Sequence, residues 1–149
     1  MIPTRGSSDI ARFVAEQTEL GRRHLRSSYS VGLGEAFNEL CEVAEDSACP
    51  NWDGYGAEPV SNDVYGFAYR FLEALPLGTP APSVGAEPDG QLTLEWYKAP
   101  RRTLSVSVSG EGDLHYAALI GLSKAYGTEP FLGDVPSTIT ALIKRLSAG

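Results

Sequence analysis

Four side chains in the second half of this 149-residue chain are of the types that a hydrolase triad combines: the hydroxyls of Ser105 and Ser107, the imidazole of His115 and the carboxylate of Glu95. Their spacing decides what they can do together. Leu92, Leu94 and Trp96, then Leu104, Val106 and Val108, then Leu114, Tyr116, Ala118 and Ile120 alternate with a period of two, so the residues between them share the opposite face of a sheet. Keeping every apolar set on one face pairs Ala86 with Leu92, Trp96 with Leu104 and Val108 with Leu114. Thr93, Ser107 and His115 then fall in one row across the sheet, and Glu95 and Ser105 in the next. Glu95 is two strands and two residues from His115, on the order of 12 Å, too far to orient the ring. Ser107 and His115 come within reach of each other, but neither the sharp turn nor the oxyanion donors of a nucleophile elbow accompany them.

Asp53, Glu87, Asp89 and Glu95 are the carboxylates available for a divalent ion or for acid/base work. Asp53-Gly54 and Asp89-Gly90 are first of all turn dipeptides. Glu95, between Leu94 and Trp96, is free of that duty, and its simplest partner is Arg101 or Arg102 across the next turn. Cys41 and Cys49 lack a C-x-x-C spacing, and His24 and His115 are far apart, so neither a metal nor a cofactor is expected. Cys41 reads as a small core residue. The chain contains no P-loop, no dinucleotide fingerprint and no H-E-x-x-H.

The elements that must position these groups follow from periodicity. The sequence predicts a single α+β domain: helices first, then a four-stranded antiparallel meander covered on one face by helices, then a C-terminal helix. Phe37, Leu40, Cys41 and Ala44 mark a helix from about Glu35. Val64, Phe67, Ala68, Phe71, Leu72 and Leu75 mark a clearer one, capped by Ser61 or Asn62 with Asp63 in its first turn, and ended by Pro76. Val84 and Ala86 begin the strands, joined by P-D-G (Pro88 to Gly90) and G-E-G (Gly110 to Gly112). Ile139, Leu142, Ile143 and Leu146 form the last helix, with Asp134 as its expected cap and Pro136 in its first turn. Residues 1–30 read as a loosely docked helical appendage before a Ser/Gly linker, and residues 31–149 as the α+β domain.

Composition narrows the class. The chain is 42% hydrophobic and 21% charged with a net charge of -7, and no apolar run approaches a membrane span. Residues 1–30 carry five arginines against three acids, a balance of +2, which leaves -9 on the remainder. Direct nucleic-acid binding is disfavoured by that balance. Arg22, Arg23 and Arg26 read as a solvated helix end. The first residues lack a secretory-signal pattern, so a cytoplasmic location is expected.

Between helices and strands lies Asn51 to Pro59, N-W-D-G-Y-G-A-E-P, with two X-Gly pairs that allow a compact double turn. Two readings compete. Trp52 and Tyr55 can pin the loop to the core as a plug. Alternatively, Trp52, Asp53 and Tyr55 face a partner from a rigid scaffold. Trp52 suits the first role; Asp53 and Tyr55 suit the second.

W-D-G-Y-G-A (Trp52 to Ala57), P-x-V-x-A-x-P-D-G-x-L-x-L-E-W (Pro82 to Trp96), S-V-S-V, L-H-Y-A and G-T-E-P-F (Gly127 to Phe131) together resemble a group of small uncharacterised bacterial proteins, over roughly residues 35–146. The resemblance brings no reaction, cofactor or catalytic residue, and it implies a paired-gene role in mobile or defence-type neighbourhoods. The expectation is a non-enzymatic protein–protein interaction module whose partner is another protein, contacted through Trp52, Asp53, Tyr55 and Glu95. The competing expectation is a small enzyme using Asp53 or Glu95.

Overall fold

The computed structural model describes residues 33–148; the expected appendage, with His24 and the arginines at 22–26, lies outside the described residues. The chain runs α1 (Gly34–Asp46), α2 (Asn62–Ala74), β1 (Ser83–Ala86), β2 (Leu92–Ala99), β3 (Arg102–Val108), β4 (Asp113–Ile120), β5 (Ser123–Pro130) and α3 (Ser137–Ser147). The strands form one antiparallel sheet in chain order, an open meander. No described helix is long and apolar enough to cross a membrane.

Local chemistry sets the helix ends. Ser61 is extended and its Oγ accepts the Val64 amide at 3.2 Å, which removes one of the orphan donors of the first turn of α2. At the other end Leu75 has returned to extended geometry before Pro76, whose ring disfavours a helical predecessor. In α3 the expected cap is corrected: Asp134 is exposed, and Pro136, rather than sitting in the first turn, is itself the N-cap, its carbonyl taking the Ile139 and Thr140 amides. Cys41 is half-buried at the margin of the core rather than inside it.

The apolar stripe of α2 and that of α3 lie over β2 and β3, and α1 runs along β1 and against α2. Leu40, Phe71, Leu72, Leu92, Leu94, Leu104, Leu114 and Ile139 form the closed interior between helices and sheet. All three expected pairings are present: Ala86 with Leu92, Trp96 with Leu104 and Val108 with Leu114. The sheet has five strands, not four. β5 was missed because Ala125, Gly127 and Glu129 on its core side and Lys124, Tyr126 and Thr128 on its outer side give no apolar alternation. A two-residue turn at Gly121-Leu122, with Gly121 at φ 63°, returns the chain to pair Ile120 with Ser123.

Tyr69 is buried on α2 beside Phe37, ring centroids 4.9 Å apart, and burial, reinforced by the Glu73 carboxylate one turn on, pushes its phenol up to about 12. In the unfolded chain the phenol ionises near pH 10, so its share of stability is intact below pH 10 and is lost as pH rises towards 12. At about 1.4 kcal/mol per pH unit that share is about 2–3 kcal/mol. Urea titrations of wild type and Tyr69→Phe at pH 8 and pH 11.5 should show the wild type losing more stability over that interval; equal losses would contradict the assignment.

Candidate functional site

The segment from Ser47 to Val60 closes on itself as a compact loop. Val60 N donates to Ser47 O at 2.9 Å and Asn51 N to Ala57 O at 2.7 Å, and these bonds tie its two ends together. Inside, Asp53 Oδ1 accepts the Tyr55 amide at 2.8 Å and the Ala57 amide at 3.1 Å, while Asn51 Oδ1 accepts the Gly56 amide at 2.6 Å. Asn51, Gly54 and Gly56 all stand at positive φ, where Asn and Gly carry the least strain. The loop is therefore held by its own polar groups. Its buried members are Ser47, Ala57 and Val60. Trp52 is not a core plug: it is half-buried, and its Nε1 donates to Glu58 O at 2.7 Å. Tyr55 at the tip is 92% exposed.

The loop is fastened to the β1–β2 turn. Glu58 N donates to Pro88 O at 2.8 Å, and Gly90 packs so closely that a Cβ there would lie 3.1 Å from Pro59 O. The W-D-G-Y-G-A and P-D-G segments, over thirty residues apart in sequence, thus meet at one end of the sheet.

At that same end a polar row crosses the face that no described helix covers: Gly85, Thr93, Ser107, His115 and Thr128. Ser107 Oγ donates to Glu87 Oε2 at 2.6 Å, Thr93 Oγ1 donates to the same oxygen, and the two hydroxyls are 3.1 Å apart. His115 Nδ1 lies 2.9 Å from Thr128 Oγ1. The row splits into two couples for a backbone reason. The Glu87 N to Gln91 O and Ser109 N to Asp113 O bonds set the alternation of the ladders. Thr93–Ser107 and His115–Thr128 then fall at non-hydrogen-bonded pairs, with Cα atoms about 4.5 Å apart, and Ser107–His115 at a hydrogen-bonded pair about 5.5 Å apart. Ser107 donates its hydrogen bond to a carboxylate, and the imidazole is bonded to Thr128 on the other side. The hydroxyl that the register brought opposite a histidine is not activated by it.

Glu95 is exposed in the next row, beside Ser83 and Ser105. It has neither expected arginine partner. Arg102 Nη2 instead donates to Arg145 O and Leu146 O at 2.8 and 2.9 Å, and Lys98 Nζ to Ser147 O at 3.0 Å, so these cations close the C-terminal end of α3. Arg101 occupies the β2–β3 turn at φ 63°. Glu95 is four residues beyond Gln91, about 13 Å along β2 from the turn that holds the Trp52 loop. Trp52, Asp53 and Tyr55 therefore form one patch, with Glu95 apart from it. Glu87 was visible as a carboxylate but not as the partner of Ser107; Thr128 was hidden with β5. Among the described residues no cluster of His, Cys, Asp or Glu is arranged to hold a metal ion. Comparison of the chain with protein-family models, curated proteins and solved structures finds no match.

Proposed function

We propose that the protein is a non-enzymatic protein-interaction module that presents Tyr55 to another protein, with Trp52 and Asp53 framing it and Glu95, apart from that patch, as an outlying contact. The observation that carries this reading is the combination of a 92% exposed aromatic with a backbone already fixed by Asp53 and Asn51. An aromatic on a backbone fixed before binding leaves only its own side-chain rotamers to be ordered on association, and aromatic residues dominate interface energetics. Within the resemblance noted above, the partner is the product of a paired bacterial gene. The charge of -9 on residues 31–149 favours one with a basic surface.

An enzyme using Asp53 or Glu95 has less support. One Asp53 oxygen already accepts two loop amides, Glu95 is exposed and its carboxylate has no bonding partner among the described residues, and Ser107 is bonded to Glu87. The test is a quantitative pull-down from the source organism with wild type, Tyr55→Ala and Asp53→Ala. Tyr55→Ala should leave the melting curve unchanged and weaken capture of a stoichiometric partner by about 2 kcal/mol or more. Asp53→Ala should lower both stability and capture, because the loop loses its internal acceptor. Capture unaffected by Tyr55→Ala, or lost only in step with the fold, would sink the reading.

A further inference from the structure

The two edges of the sheet are treated differently. At β1 the outward-facing Val84 amide donates to Glu39 Oε1 at 2.8 Å, and α1 lies alongside, so that edge is closed by the protein itself. β5 is a regular eight-residue strand with no such cover among the described residues.

Its ladder shows which groups are left over. Phe131 N donates to Gly112 O at 2.8 Å, continuing the register in which Leu114 faces Glu129. Residues 123, 125, 127 and 129 therefore spend their amides and carbonyls on β4, and the amides and carbonyls of Lys124, Tyr126 and Thr128 point away from the sheet. No described backbone group meets them. On its inner side Tyr116 lies against Gly127, its hydroxyl 2.7 Å from where a Cβ would stand. Tyr126, in the middle of the outward triplet, is 82% exposed.

We propose that this edge pairs with the same edge of a second copy, β5 against β5 in antiparallel sense about a two-fold axis at Tyr126, to make one continuous sheet. The pattern of the strand matches itself in that register. Lys124 faces Thr128 of the other copy, Tyr126 faces Tyr126, and Thr128 faces Lys124, so each of the three outward amides and carbonyls finds a partner. Pro130, which has no amide to give, falls outside the ladder. No like charges stand opposite, since Lys124 meets a threonine and Glu129 meets Ser123. The two Tyr126 rings cover each other on the open face. A two-fold axis makes the contact self-limiting, and β1 offers no second free edge from which a fibre would grow. The contact is small, so the association is concentration-dependent rather than obligate.

Sedimentation of the full chain over a concentration series tests this, with amide hydrogen exchange read at high and low concentration. The wild type should pass from one chain to two, with the amides of Lys124, Tyr126 and Thr128 gaining protection. Tyr126→Pro removes the central donor at an edge position where proline is tolerated, and Tyr126→Asp sets two carboxylates face to face without altering the backbone. Each should weaken association roughly tenfold or more, while Tyr55→Ala should leave it unchanged. A wild type that stays a single chain throughout, a dimer whose three amides exchange as in the monomer, or Tyr126→Asp dimerising like wild type would each overturn the proposal.

Discussion

Phe71→Ala should lower unfolding free energy by about 3–5 kcal/mol, the usual cost of deleting a fully buried aromatic ring. Phe71 is 0% exposed on the face of α2 that meets the sheet, and its ring stands edge-on to Phe131, centroids 6.0 Å apart at 64°. Phe131 follows directly on β5 and is anchored to Gly112 O, so the pair ties the helix layer to the far end of the sheet. The substitution therefore removes both a transfer contribution and an aromatic contact that itself contributes about 0.5–1.5 kcal/mol. Phe71→Leu separates the two, keeping most of the apolar volume and losing the ring geometry, and should cost about 1–2 kcal/mol. Urea unfolding with unchanged slope measures both. A Phe71→Ala loss below about 1 kcal/mol would show that α2 does not cover the sheet as described.

Trp96→Ala should cost a similar amount, about 3–5 kcal/mol, for a different combination of reasons. Trp96 is buried opposite Leu104 on β2, and its Nε1 donates to Pro80 O at 2.7 Å. That bond ties the extended connector between α2 and β1 to the sheet. Thr79 N and Thr79 Oγ1 only turn the connector back on Pro76 O. Truncation to alanine removes the ring and leaves the Pro80 carbonyl without its donor. Trp96→Phe keeps an aromatic body but not the N–H, and should cost about 0.5–1.5 kcal/mol, the net contribution of a hydrogen bond whose acceptor, on the exposed Pro80, water can reach. Were Trp96→Phe as damaging as Trp96→Ala, the bond to Pro80 rather than the burial would be carrying the site; were it neutral, the connector would not depend on that bond. Hydrogen exchange across residues 76–82 distinguishes a loosened connector from a loosened core.

What the amino-acid pattern determined about this protein was whatever burial writes into it. The stripe from Val64 to Leu75 and the alternations through β1 to β4 record a face turned towards the core, and because a one-residue slip would turn a whole strand over, the pairings of Ala86, Trp96 and Val108 followed from side-chain types alone. Ser61 as a cap and the two glycine turns were legible for equally local reasons. β5 was not, since it is held by backbone bonds to β4, and a backbone ladder leaves no trace in side-chain hydrophobicity. The same holds for the candidate site. Exposure of Tyr55 and the unusual loop were readable, yet a carboxylate in an Asp-Gly dipeptide looks the same whether it faces a partner or, as Asp53 does, accepts two amides of its own loop. Side-chain parity placed Ser107 opposite His115, but which pairs of a row are close and which are wide depends on the hydrogen-bond phase of the ladder, and that phase follows from the turns at Glu87–Gln91 and Ser109–Asp113. Only the tertiary structure therefore decided that Ser107 meets Glu87, that His115 meets Thr128, and that one edge of the sheet is closed by Glu39 while the other meets no partner among the described residues.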